Sequence, residues 1–424
     1  MNLVINIMLW VAYVISLYFS IFLLLVYLDK KSFFQKESSS LDPPHTPFIS
    51  IFVPAYNEEK TILQTLESIS KIDYPVENLE VLVIDDGSQD QTKEIIENFI
   101  ADKPHFQLLS QKNQGKAAAL NNALKKARGD FFACLDADSF VHPLTLRKML
   151  AFYYQEKDSR LAIITPAMKV YQPKNLLQRI QWLEYLVMIF IGRLTSQLDS
   201  LYVAPGPFSL YKTEIIKKLG GFDEKTLTED QEIAYRVQRE QYKIKQCFDG
   251  YVYTTAPKKI ERFYRQRRRW YLGSLSCLRQ YKEMVANKKY GDFGLIQMVK
   301  NVAGYFLALT GIGLSIYLLF LPLLNKLKDF FLIRFNFWPY LQNFELNINW
   351  LSLFLADFRK GFIIIFLFGI SFLFFYLAHK NAQEKIMKFG WIPLIPYFIF
   401  YYLLKGIILL LSLLEYSLGK KIKW

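Results

Sequence analysis

Along this chain the apolar residues first run almost unbroken, then fall into short periodic groups, then run unbroken again. Leu3 to Leu28 is nearly free of charge and exceeds the roughly 20 residues that a helix needs to cross a bilayer, and Asp29-Lys30-Lys31 follows at once. No Lys or Arg precedes the run and no small-residue cleavage site follows it. The segment is therefore expected to be a retained anchor with its basic end in the cytoplasm. Further spans are predicted at Gly304 to Leu324, Phe362 to Ala378 and Pro393 to Leu414. The stretch from Phe335 to Phe358 is more polar and fits either an interfacial helix or an extra crossing. With only three late spans, the terminal "GKKIKW" would face outward, against the positive-inside tendency.

The middle of the chain has a different rhythm. Lys36 to Pro47 is rich in Ser and Pro and reads as a linker. Apolar runs at Ile49 to Val53, Leu79 to Ile84, Phe106 to Leu109 and Phe131 to Leu135 predict strands. Between them, Glu59 to Ser70, Thr92 to Phe99 and Lys116 to Lys126 carry helical spacing. Alternating strands and helices predict an α/β fold with a parallel-rich central sheet, whose ligands belong at the carboxyl ends of the strands. Three strands end in polar or acidic tips, at Asn57-Glu58, Asp85-Asp86 and Asp136-Ala137-Asp138.

Composition narrows this picture. The 424 residues carry a formal net charge of +14, and 17% are aromatic. Much of the basic excess lies beside the spans, where anionic membrane lipids account for it, so no nucleic acid partner is expected. Cys134, Cys247 and Cys277 are an odd, scattered set that suits a reducing compartment, and the four histidines offer no zinc spacing.

Several constellations have both a chemical and a plain reading. Asp136 and Asp138 at a strand end suit Mg²⁺ or Mn²⁺ holding a diphosphate, or form a surface turn. Asp85-Asp86-Gly87-Ser88 offers acceptors to a nucleoside, or is a turn with Ser88 or Asp90 capping the next helix. Gln114-Gly115-Lys116 opens a helix that can receive an anion, or Lys116 is a surface charge. In "RFYRQRRRW", Gln266, Arg269 and Trp270 share a helix face able to grip a pyrophosphate and stack on a sugar; the same helix can bind lipid head groups. Asn175 to Leu194 reads as an interfacial amphipathic helix or a buried one. Asp230, in "TLTED", is either a helix cap or a base.

Taken in order, "VPAYNEE", "VIDDGS", "QGKAAALN", "DAD", "GPFSLY", "TED" and "QRRRW" resemble the motifs of membrane-bound family 2 glycosyltransferases, in the branch of poly-N-acetylglucosamine, hyaluronan, chitin and cellulose synthases. The resemblance covers roughly Pro47 to Tyr290. It implies a GT-A fold, a UDP-sugar donor and inversion at the anomeric carbon. By motif, Ala55, Tyr56, Glu58 and Asp86 would surround the nucleoside, with Asp85 and Lys116 near it or the diphosphate. Asp136 and Asp138 would hold the metal and phosphates. Gly206, Pro207 and Phe208 would form an acceptor-side loop, and Glu229 would lie at the substrate beside Asp230, the general base. Gln266, Arg269 and Trp270 would bind diphosphate and acceptor. The helix start is expected to keep Asp230 ionised.

The layout implied is an anchor at 1–28, a linker at 29–46, a GT-A domain at 47–255, interfacial helices at 256–290 and a membrane region at 291–424. The expected protein is a multi-pass plasma-membrane enzyme with a cytoplasmic catalytic domain, and an accessory export or synthase subunit is a candidate partner. Three activities remain open: a processive polysaccharide synthase, transfer of one or two sugars to a lipid acceptor, and a silent sugar-nucleotide sensor.

Overall fold

The computed structural model describes residues 3–35, 43–322 and 358–418, with single positions at 324, 328 and 332. Most of the linker, the Phe335 segment and the terminal "GKKIKW" lie outside the described residues. In chain order come α1 (Leu3–Asp29), α2 (Lys31–Gln35), β1 (Ile49–Ala55), α3 (Ile62–Ser70), β2 (Leu79–Asp85), α4 (Thr92–Ile100), β3 (Phe106–Ser110) and α5 (Lys116–Lys126). Then follow β4 (Phe131–Cys134), β5 (Ser139–Val141), α6 (Thr145–Glu156), β6 (Leu161–Val170), α7 (Leu176–Gln197), β7 (Leu210–Lys212), α8 (Thr213–Lys218), α9 (Glu229–Arg239), β8 (Lys243–Thr254) and α10 (Ile260–Gln280). Three membrane-length helices complete the described chain: α11 (Phe293–Ser315), α12 (Phe358–Asn381) and α13 (Leu394–Ser417).

The strands form one sheet in the order β3-β2-β1-β4-β7-β6-β8-β5. The first four are parallel, β7 reverses against β4, and β6 and β8 run parallel to each other. Alternation along β1 sorts the core. Ile49, Ile51 and Val53 point to the side covered by α3, α4 and α6, whereas Phe52 points to the side of α5, α8 and α9. There Phe52, Phe132 and Tyr211 stack across three strands with centroids 4.7 and 4.9 Å apart. Each such buried ring contributes about 1.5–3 kcal/mol relative to exposure. β1 continues through Pro54, which pairs with Ile84, to Ala55, two residues further than the apolar run suggested.

α7 begins with a capping box: Asn175 Oδ1 accepts from the Gln178 amide (2.9 Å), and Gln178 Oε1 from that of Asn175 (3.4 Å). The helix is held between the β6–β8 part of the sheet and α12 and is largely buried in packing. Arg193, near its end, gathers three other segments. Its guanidinium lies 3.5 Å from the Phe248 ring centroid and 4.4 Å from that of Phe34, donates to the Phe33 carbonyl (3.0 Å), and bonds Asn381 at the end of α12.

Four helices among the described residues are long and apolar enough to cross a membrane: α1, α11, Gly361–Asn381 of α12, and α13. The helix that carries the first late candidate span starts at Phe293, ahead of the predicted Gly304. Polar Gln297 and Asn301 obscured that start in the sequence. They bond each other (2.7 Å), and Asn301 donates to Tyr235 of α9 (2.8 Å).

Candidate active site

The acidic tips meet because their strands are neighbours. Ala55 is level with Asp85, and Phe52 with Cys134, so residues 56–58, 85–86 and 136–138 all emerge at one edge. Asp86 is buried and uses both carboxylate oxygens on the following loop: Oδ1 accepts from Gln111 Nε2 (2.7 Å) and the Gln114 amide (3.0 Å), Oδ2 from the Gly115 amide (2.8 Å). Gly87, at φ 77°, permits this closeness, since a Cβ there would lie 2.8 Å from the Asn113 nitrogen. Asp85 is buried as well and accepts from the Ser88 amide (3.1 Å). The Ser88 hydroxyl accepts from the Asn57 amide (3.1 Å), while Asp90 Oδ1 accepts from the Thr92 amide (3.0 Å) at the start of α4. These carboxylates thus build the loops around the cleft. Ala55 is buried, and Tyr56 stands 43% exposed at the rim.

The loop braced by Asp86 delivers Lys116 to the centre. Its ammonium lies 2.5 Å from Asp136 Oδ1 and 2.8 Å from Glu229 Oε1, joining the tip of β4 to the start of α9. Burial alone would lower the Lys116 pKa, but Asp136 and Glu229 raise it above the ordinary value. The anion-receiving position at the start of α5 is therefore filled by an internal ion pair.

The residue at the N-cap of α9 is Thr228, and Asp230 sits within the first turn. Asp230 Oδ1 accepts from the neighbouring Gln231 amide (2.8 Å), and its Oδ2 has no partner among the described residues. Burial and the adjacent Glu229 push the Asp230 carboxyl up to about 6, against the pull of Lys116 and Arg269. The helix start is expected to keep this carboxyl ionised; at about 6 it is mostly so at neutral pH, although desolvation outweighs the macrodipole and sets it above the ordinary value. Asp138 is likewise pushed up to about 6, by burial and then by Asp136 and Glu58, while Ser139 Oγ donates to its Oδ1 (3.1 Å). Burial also raises Glu58.

Asp136 and Asp138 offer hard oxygen donors, and no group of three or more His, Cys, Asp or Glu suited to a metal occurs among the described residues. Two carboxylates with remaining positions left to phosphate and water are the usual Mg²⁺ arrangement, so the donor set fits such an ion.

The loop before β7 reaches this centre through Gly206. A Cβ there would stand 2.7 Å from Lys116 Nζ and 2.9 Å from Asp136 Oδ2. Pro207 is buried, and Phe208, at φ 60°, turns its ring fully into the core while its amide bonds the Cys134 carbonyl. The Phe208 side chain therefore does not face the cleft.

α10 closes the far side. Gly273 lies against Thr228, and Gln231 Nε2 donates to Ser274 Oγ (3.1 Å). Arg269, one turn earlier, is close enough to lower the pKa values of both Glu229 and Asp230. Gln266 Oε1 is buried without a partner, and Trp270 is half-buried. Arg262, a turn before Gln266, similarly acts on Glu58. Gly273 and Ser274 escaped the motif reading, although four residues from Arg269 to Gly273 is one helical step along the same face.

Residues 50–220 match the family model described as Glycosyl transferase family 2. The chain is 28% identical over 292 residues to a poly-beta-1,6-N-acetyl-D-glucosamine synthase of Staphylococcus epidermidis, covering 68% of each chain. It is 27% identical over 268 residues to the synthase of that name from Staphylococcus aureus strain COL, covering 62% of this chain and 64% of the other. Among solved structures, a mannosyltransferase from Pyrobaculum calidifontis in complex with GDP-Man and Mn²⁺ superposes with a TM-score of 0.57 at 19% identity, covering 89% of this chain and 99% of that one. That likeness concerns the fold. Together with the motifs and their convergence on one cleft, these findings identify residues 50–220 as a glycosyl transferase family 2 domain on a GT-A fold.

Proposed function

We propose that this chain is an inverting transferase that moves an N-acetylhexosamine from its UDP-sugar onto a growing polysaccharide. Catalysis takes place at the cytosolic face of the plasma membrane, with the product leaving between the membrane helices. The observation that carries the reading is the charge arrangement around Lys116, which joins Asp136 and Glu229 beside an Asp230 whose Oδ2 has no partner. The staphylococcal synthases support the choice of sugar and of a polymeric acceptor.

In this reading the exposed Tyr56 ring offers a face to the uracil, and the loop braced by Asp86 and Gln111 shapes the nucleoside side of the cleft. Asp136 and Asp138 would hold Mg²⁺ or Mn²⁺, which when bound would supply positive charge at the diphosphate. Lys116 and Arg269 add fixed positive charge on either side of the acidic turn. Asp230 Oδ2 takes the proton of the acceptor hydroxyl as that oxygen attacks the anomeric carbon. A carboxyl near 6 is largely ionised at neutral pH yet basic enough to assist, and such assistance is worth on the order of 10²–10⁴-fold. Trp270 and Gln266 face the acceptor, and the packing of α10 along α13 motivates processive transfer coupled to export.

The test is UDP release by the full chain in nanodiscs with Mg²⁺ or Mn²⁺, across a panel of UDP-sugars, with products sized on a gel. A long ladder from UDP-N-acetylglucosamine supports the synthase. A single small lipid-soluble product replaces it with lipid glycosylation, and UDP binding without turnover of any donor defeats the transferase reading.

A further inference from the structure

Behind the motif helix lies a second charged cluster, which meets the cleft-side residues described above only at Trp270. Glu184, buried on α7, bonds three side chains from two other elements. Its Oε1 accepts from Lys405 Nζ (2.6 Å), and its Oε2 accepts from the Tyr401 hydroxyl (2.6 Å) and from Arg267 Nη2. Tyr401 and Lys405 are one turn apart on α13, and Arg267 sits inside the QRRRW tract of α10. The Arg267 guanidinium also lies 4.2 Å from the Trp270 ring centroid and 4.9 Å from that of Phe263. Burial disfavours the charge on Glu184, yet Arg267 and Lys405 hold its carboxyl down at about 2.

Stability alone is a poor reason for such a cluster, because apolar residues of similar volume commonly do as well at a buried ion pair. What an ionic cluster adds is a defined geometry. Successive residues on an α-helix are separated by about 100°, so fixing Arg267 on the back of α10 fixes the rotation at which Gln266 and Arg269 face forward. Arg267 has a planar fork that can bond the carboxylate and cover the Trp270 ring together, which a lysine cannot do.

We propose that Glu184 is a positioning residue for the transfer reaction. Through Arg267 it sets the rotation of α10, and hence the aim of Gln266, Arg269 and Trp270 at the cleft. Through Tyr401 and Lys405 it ties that rotation to the last membrane helix. This inference rests on the transferase reading above.

The experiment compares full-length Glu184→Gln, Arg267→Lys and the charge-balanced pair Glu184→Gln/Lys405→Met in nanodiscs, measuring kcat, donor KM and Tm. Glu184→Gln is expected to lower kcat by about 10–100-fold while donor KM changes less than about threefold, since a misplacement of about 1 Å can cost 10²-fold. The paired variant is expected to recover Tm but not kcat, and Arg267→Lys to lose kcat with Tm largely kept. If Glu184→Gln does not fold, Glu184→Asp carries the same expectation, as it keeps the charge and withdraws the carboxylate by one methylene. Recovery of kcat together with Tm in the paired variant, or an unchanged kcat in Glu184→Gln or Glu184→Asp, would overturn the proposal and leave the cluster a stabilising feature only. Wild-type turnover is the control: its absence fells the transferase reading and this inference with it, whereas wild-type turnover beside an unaffected Glu184 variant fells the inference alone.

Discussion

Gly273 on α10 and Thr228 at the start of α9 are so close that a methyl group on the glycine would overlap the threonine side chain. The absence of a Cβ lets α10 lie flat against the acidic turn, which brings Arg269 within reach of Glu229 and Asp230. Gly273→Ala is expected to destabilise by about 1–3 kcal/mol, as overpacking does. It is also expected to lower kcat on the order of 10²-fold through displacement of Arg269. Chemical denaturation and UDP-release kinetics on one preparation measure both.

Asp230→Asn separates a base from a cap. Loss of a base predicts a 10²–10⁴-fold fall in kcat. The folded pKa of about 6 lies above the ordinary 3.8, so the folded state retains a proton across that window that the unfolded chain has released. The contribution of Asp230 to stability therefore falls as pH rises from about 4 to 6, and at neutral pH its charge opposes folding. Asp230→Asn is expected to match or exceed the wild-type Tm at pH 7.5. A clear Tm loss there would favour the capping role. In the wild type, kcat/KM is expected to fall as pH drops through about 6, where the base becomes protonated.

Gly206→Ala tests the centre without disturbing the core. The new methyl would meet Lys116 Nζ at 2.7 Å and Asp136 Oδ2 at 2.9 Å, both at the ends of side chains able to move aside. Tm is expected to stay within a few degrees, because surface-side shifts of this kind cost little. kcat/KM is expected to fall about 10–100-fold as the Lys116–Asp136 pair opens. Unchanged kinetics would mean that the pair has no part in donor binding.

Chelation addresses the two aspartates. Removal of divalent cations is expected to abolish UDP release, with recovery on adding Mg²⁺ or Mn²⁺, and Asp138→Asn is expected to raise the metal concentration needed for half-maximal rate. Full activity in excess chelator would remove the metal from the scheme.

Much of the parallel half of the sheet was legible because each strand is a short apolar run ending in a polar tip; α5 was bounded correctly at both Lys116 and Lys126. The convergence of Asp85, Asp86, Asp136 and Asp138 followed from topology alone. Partners were not legible. Lys116 reads equally as a surface charge or an anion ligand until Asp136 and Glu229, distant in sequence, arrive beside it. Phe208 reads as part of an acceptor loop, but its positive φ turns the ring inward, and no periodicity reports a single left-handed residue. Glu184 was hidden in an amphipathic helix, where one acidic residue normally marks the wet face, because the basic residues that neutralise it come from α10 and α13.

The convergence on Arg193 has a consequence for how the protein meets its substrates. The end of the anchor region, the sheet and the exit of α12 all close on one guanidinium. If the four long apolar helices sit in lipid, bilayer thickness would act as a ruler: the shared guanidinium would hold the cleft at one height above the membrane, because these three segments could not shift separately.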